Sequence, residues 1–94
     1  MTTKLSEAEI QAALAATPEW SEVSGAIQRT YDFKDFVQAM RFVNKVAEHA
    51  EKVQHHPDIL VRYNKVTISV STHDAGGITA KDFALAKAVD AMTR

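Results

Sequence analysis

The sequence predicts an α+β fold: a four-stranded antiparallel sheet with three helices packed on one face, in the order α-β-β-α-β-β-α. Three observations predict it. Helix-start signatures recur three times, a wide apolar periodicity of helical spacing fills the middle of the chain, and two pairs of short β-prone blocks are each broken by two turn residues. The 94 residues suit a single domain over 1–94.

The elements follow in order. Ser6 and Glu9 make a capping box, with Leu5 and Ile10 as its hydrophobic staple, and start a helix over 7–16. Trp20–Val23 and Ala26–Tyr31 are strands joined at Ser24-Gly25, a two-residue hairpin loop. Asp32 with Asp35, and Tyr31 with Phe36, form a weaker start for a helix over 33–53. Within it Phe36, Met40, Val43, Ala47 and Ala50 share one row, with Ala39, Phe42, Val46 and Val53 on the adjacent rows. Pro57, which opposes helix, closes the segment. Ile59–Tyr63 and Val66–Val70 are strands joined at Asn64-Lys65, where Asn tolerates a positive φ. Val66, Ile68 and Val70 alternate with Thr67, Ser69 and Ser71, so this strand has one dry face. Thr79 with Asp82, and Ile78 with Phe83, start the last helix over 80–93, with Asp82 read as its cap.

Composition narrows the function classes. The formal net charge is -1, with neither a basic stripe nor a basic face to predict nucleic-acid binding. No apolar run approaches the ~20 residues of a membrane span, and Met1–Ser6 lacks the apolar stretch of a signal peptide. The absence of cysteine excludes disulfides and thiolate metal sites and suits a cytoplasmic protein.

The chemistry concentrates in Glu51-Lys52-Val53-Gln54-His55-His56-Pro57 and in Ser71-Thr72-His73-Asp74. A two-residue loop at Asn64-Lys65 would pair Tyr63 with Val66 and carry His56 opposite His73, with Cβ atoms roughly 4.5–5.5 Å apart. Glu51 and His55 stand at i, i+4 and share a face if the helix reaches that far. The helix C-terminus adds partial negative charge, which favours imidazolium. Gly76-Gly77 leaves room for a flat ligand to approach the backbone. Imidazoles titrating near neutrality suit loss of water from a carbon bearing a hydroxyl and an amine, where one group protonates the departing hydroxyl and another takes the amine proton. Three histidines and a carboxylate could also hold zinc with an open position, although adjacent residues in an extended segment point to opposite faces. His49 reads as a surface or helix-packing histidine, Trp20 as core, and Lys34, Arg41, Lys45 and Lys52 as a solvated face.

Glu51-Lys52-x-x-His55-His56-Pro57, Tyr63-Asn64-Lys65-Val66, Ser71-Thr72-His73 and Gly77-x-Thr79-x-x-Asp82 together resemble the pterin-4a-carbinolamine dehydratase family. Tyr31-Asp32-Phe33-Lys34-Asp35-Phe36 and Trp20 fit the same pattern, so the resemblance covers nearly the whole chain. It implies dehydration of 4a-hydroxytetrahydropterin to the quinonoid dihydropterin, regenerating the cofactor of aromatic amino acid hydroxylases, with no metal or organic cofactor. It places catalysis on His55, His56, His73 and Glu51. His55 and His73 would exchange protons around the C4a hydroxyl and N5, His56 would position the pterin, and Glu51 would hold an imidazole or a ring N–H. Pterin binding would fall to Gln54, His55, His56, Pro57, Ser71, Thr72, His73 and Asp74. Gln54 and Asp74 depart from the acidic residue and the Glu common at those positions, which bears on substrate preference.

The resemblance also implies a homodimer or homotetramer, with contacts through helix and sheet edge. Animal members additionally serve as dimerisation cofactors of a homeodomain transcription factor. A regulatory protein partner is therefore the competing class, and a molybdopterin-related role the competing pterin chemistry; no direct nucleic-acid or membrane contact is expected. Intact Glu51, His55, His56 and His73 favour the enzyme.

Overall fold

The computed structural model describes residues 3–93; Met1 and Thr2, at the start of the segment read for a signal peptide, lie outside the described residues, as does Arg94. The elements are α1 (Glu7–Ala16), β1 (Ser21–Val23), β2 (Ala26–Asp32), α2 (Phe36–Val53), β3 (Asp58–Arg62), β4 (Lys65–Val70), a single 3-10 turn (His73–Ala75) and α3 (Ala80–Ala91). The four strands form one antiparallel sheet in the spatial order β1-β2-β4-β3. No described helix is long and apolar enough to cross a membrane.

The first and third helix starts form as their sequences dictate. Ser6 Oγ accepts the Glu9 amide while Glu9 accepts the Ser6 amide, and Thr79 and Asp82 repeat the reciprocal pattern on α3. The middle start differs. Asp32 still belongs to β2, and Asp35 is the cap, its carboxylate accepting the Gln38 amide at 2.9 Å, so α2 begins at Phe36 and not at residue 33. α3 likewise ends at Ala91, two residues short of the expected limit.

One face of the sheet is dry. Ile27 and Tyr31 of β2 meet Val66, Ile68 and Val70 of β4, and this surface joins Ala39, Phe42 and Val46 of α2 and Phe83, Leu85, Ala86 and Val89 of α3 in one core. Each large aliphatic side chain removed from water there contributes about 1.5–3 kcal/mol. The other face is polar at its centre, where the Thr30 and Thr67 hydroxyls meet at 2.8 Å. The row of α2 that reaches the sheet is Ala39-Phe42-Val46-Ala50. Of the row expected to lead, Phe36-Met40-Val43-Ala47-Ala50, only Ala50 is buried and the others lie on the flank, with Phe36, like Val53 of the adjacent rows, about half exposed.

Ser24 and Gly25 both take positive φ, as expected for a tight hairpin. The second hairpin is shifted by one residue. Arg62 pairs with Lys65, so the loop is Tyr63-Asn64 instead of Asn64-Lys65, and Tyr63 takes the left-handed conformation at φ 50°. The cause is a tertiary clamp. Asn64 donates its side-chain amide to the Phe33 carbonyl and accepts the Phe33 amide on its own carbonyl, fixing it against the β2–α2 connection. The ladder ends at Asp58↔Ser69, so His56 and His73 are not cross-strand partners.

Candidate active site

The chain leaves α2 by a left-handed turn at Gln54, φ 55° and ψ 45°, which terminates the helix three residues before Pro57. The amides of Gln54 and His55 both point back to the Ala50 carbonyl. A non-glycine residue in this conformation costs of order 1 kcal/mol. The turn has a consequence for the two histidines, because it sends them to different places. His55 goes inward, its side chain 14% exposed, whereas the His56 side chain is 56% exposed.

The inward histidine finds a partner whose sequence role is that of a helix cap within the Gly77-x-Thr79-x-x-Asp82 motif. His55 Nε2 lies 2.6 Å from Oδ1 of Asp82, which is fully buried in the first turn of α3. The second oxygen, Oδ2, accepts the Thr79 amide at 2.8 Å and the Thr72 hydroxyl at 3.0 Å. An ionised carboxylate only accepts hydrogen bonds, so Nε2 is the donor of this contact, and Nδ1 has no hydrogen-bond partner among the described residues. Asp82 thus ties together the segment before His56 and the segment before His73. Its signal in the sequence was the carboxylate at the third position of a capping box shortly after the Ser-Thr-His motif; nothing in the spacing said that its second oxygen would face an imidazole.

The other expected residues divide. Glu51 pairs with His56 and not with His55, because α2 ends at Val53 and the i, i+4 relation does not continue. His73 and Asp74 are exposed at the start of the 3-10 turn, and Ser71 is exposed beside them. The Thr72 hydroxyl is buried between Thr79 and Asp82. Gln54 is exposed, its side-chain amide donating to the Glu51 carbonyl at 2.6 Å, and Pro57 is half-buried. Backbone hydrogen bonds between Thr72 and Gly77 close the loop that presents His73. Of the glycine pair, Gly76 borders open space, whereas a Cβ at Gly77 would meet the Lys4 side chain at 2.9 Å. Gly76 supplies the positive φ, 74°, that the loop needs. Trp20 is core, far in sequence from the histidines and bonded to Asp90 of α3.

Beside His55 lies a cavity of about 230 Å³, lined also by His49, Val53, Lys81, Ala84 and Leu85. It lies between the second half of α2 and the first half of α3. Among the described residues, no three His, Asp or Glu side chains converge as a metal-ligand group. His55 and His56 each face a different carboxylate. The arrangement offers an oriented imidazole next to a largely apolar hollow; Glu51, His56 and His73 are exposed, and none of the three lines it.

The comparisons with known proteins agree with the fold and with one family. A Picosynechococcus sp. protein provisionally named pterin-4-alpha-carbinolamine dehydratase is 54% identical over 98% of this chain and 100% of its own length. A Solibacter usitatus protein of the same provisional name is 52% identical over 98% and 97%. The crystal structure of a transcriptional coactivator/pterin dehydratase from Brucella melitensis superposes with a TM-score of 0.90 at 37% identity, covering 95% of this chain and 97% of that one. A pterin dehydratase-like protein described as a RuBisCO assembly factor in the alpha-carboxysome shares the fold at a TM-score of 0.63 and 22% identity, over 77% of this chain and 83% of that one. The model of the pterin 4 alpha carbinolamine dehydratase family matches residues 3–92, and the chain belongs to that family of hydro-lyases.

Proposed function

We propose that this protein removes water from a 4a-hydroxytetrahydropterin to give the quinonoid dihydropterin, by histidine acid–base catalysis, in the recycling of a tetrahydropterin cofactor. The observation that carries the reading is His55, held through Nε2 by the buried Asp82 with its second nitrogen free, beside a cavity, in a chain of this family.

The reaction breaks the C4a–O bond, and the oxygen keeps the electron pair and leaves as water once protonated. N5 gives up its proton, and its lone pair becomes the new C4a–N5 double bond. His55 Nδ1 accepts the N5 proton, and the carboxylate behind the ring stabilises the imidazolium that forms. His73 in its protonated form, on the opposite segment, gives its proton to the departing hydroxyl. His56, braced by Glu51, positions the ring, and Ser71, Asp74, Gln54 and Pro57 form the rim around its pyrimidine edge. Each proton transfer contributes about 10²–10⁴-fold. A homo-oligomer belongs to the same reading, supported by the exposed Phe36 and Val37 on α2 and by Leu60 and Tyr63 on and beside the edge strand β3.

The test is stopped-flow decay of chemically generated 4a-hydroxytetrahydropterin. Wild type, with or without chelator, should accelerate the decay, and the double variant His55→Ala/His73→Ala should not. A correctly folded wild type that leaves the decay at its spontaneous rate would overturn the reading.

A further inference from the structure

The dehydration chemistry engages only one of the six residues lining the cavity between α2 and α3. Its remaining walls have a distinct character. Val53, Ala84 and Leu85 are apolar, while His49 and Lys81 carry the polar atoms. Among the described residues Lys81 forms no ion pair, and the His49 ring makes no hydrogen bond. Two carboxylates of these helices are already engaged. Asp82 is held by His55, Thr72 and the Thr79 amide, and Glu51 by His56. An ammonium and an imidazole therefore border an apolar hollow with no free carboxylate among its lining residues.

Size narrows the occupant. At ~30 Å³ for each water-sized unit of liquid, the 230 Å³ volume holds roughly eight non-hydrogen atoms. That accommodates a chain of two or three carbons ending in a compact anion, and the exposed Val53, Lys81 and Ala84 leave the hollow open to solvent. His55 itself lines this hollow, so a molecule on which His55 acts can extend a substituent into it.

We propose that this cavity is a subsite for the ring substituent of the substrate, and that Lys81 with His49 favours substituents ending in a phosphate or carboxylate. The inference rests on the dehydratase reading and adds to it a substrate class: pterins with an anionic side chain. His49, read from the sequence as a surface or helix-packing histidine, becomes a specificity residue, and Lys81 supplies the charge. The apolar walls accept the carbon chain, and the cation at the wall meets its end.

Equilibrium titration with aromatic pterins, followed by their own fluorescence, tests this without turnover. The probes are unsubstituted pterin, 6-hydroxymethylpterin, its monophosphate, and a pterin with a 6-propionate chain. A single partly screened charge pair predicts that an anionic probe binds about fivefold tighter than the neutral 6-hydroxymethyl compound. Lys81→Met should bring that ratio close to one, and Lys81→Glu should invert it. Ala84→Phe, which fills the hollow, should weaken substituted pterins more than the unsubstituted ring. Tighter binding of the phosphate alone identifies a phosphorylated substrate, and tighter binding of both identifies a general anion subsite; either supports the proposal. Equal affinities in wild type, or a preference that survives Lys81→Met, would overturn it while leaving the dehydratase reading intact. If unsubstituted pterin itself fails to bind the folded protein, both fall.

Discussion

Helix α3 carries a carboxylate near each end, Asp82 in its first turn and Asp90 in its last, and the two have opposite consequences. Asp90 accepts from Trp20 Nε1 at 3.1 Å, from Arg29 at 2.8 Å and from the Tyr31 hydroxyl. The Arg29 guanidinium also lies 4.3 Å from the Tyr31 ring centre. Burial and the neighbouring Asp90 push the Tyr31 phenol well above its ordinary value. Every proton around Asp90 is thus fixed at neutral pH, and the cluster locks β1–β2 to the end of the helix. Asp82 is more deeply buried, yet one of its partners is an imidazole with a second nitrogen free. The same type of residue yields a brace where its donors are permanent, and a candidate catalytic pair where one donor can exchange its proton.

Three substitutions break or sharpen this contrast. The largest expected effect is on turnover. Asp82→Asn keeps an oxygen for the Thr79 amide but turns an N–H toward His55, so the imidazole must take the opposite tautomer. Dehydration should fall by about 10²–10⁴ with the fold retained, measured by stopped-flow decay alongside circular dichroism. Turnover near wild type would reduce Asp82 to a helix cap. At the other end, Asp90→Ala should cost about 2–3 kcal/mol of stability, because three donors lose their acceptor, while activity per folded molecule persists. A urea midpoint close to wild type would show that the brace is not one.

Tyr31→Phe should cost only about 1 kcal/mol at pH 7. Its interest is the pH dependence. The folded phenol holds its proton above the ordinary value of about 10, so the stabilisation is complete below pH 10 and declines as pH rises beyond it. Urea titrations between pH 8 and 11 should show a steeper alkaline loss for wild type than for the variant. Parallel slopes would contradict the assignment.

Most of the fold was legible because its signals are local. The Ser6–Glu9 and Thr79–Asp82 boxes, the Ser24-Gly25 loop and the alternation of β4 each act within a few residues. What misled was tertiary. Asn64 is an ordinary turn residue until it is clamped to Phe33, 31 positions away, and that clamp moves the register of the second hairpin by one. Of the candidate site, the residue types were legible and the pairings of His55 and His56 were not. Glu51 was matched with His55 on the assumption that the helix continued, whereas the left-handed Gln54 ends it and hands Glu51 to His56. Asp82 and Lys81 were overlooked as site residues for a related reason: each serves α3 locally, and their role at the cavity depends on how α3 docks against α2.

The cap of α3 has one more implication. Thr79 donates its amide to the same carboxylate that holds His55, and the Thr72 hydroxyl joins them. The first turn of the helix therefore cannot fray without releasing the imidazole and the base of the His73 loop together. Local opening and loss of the site become a single event, and Thr72, Thr79 and Asp82 form a unit whose members cannot be replaced one at a time without cost to the other two.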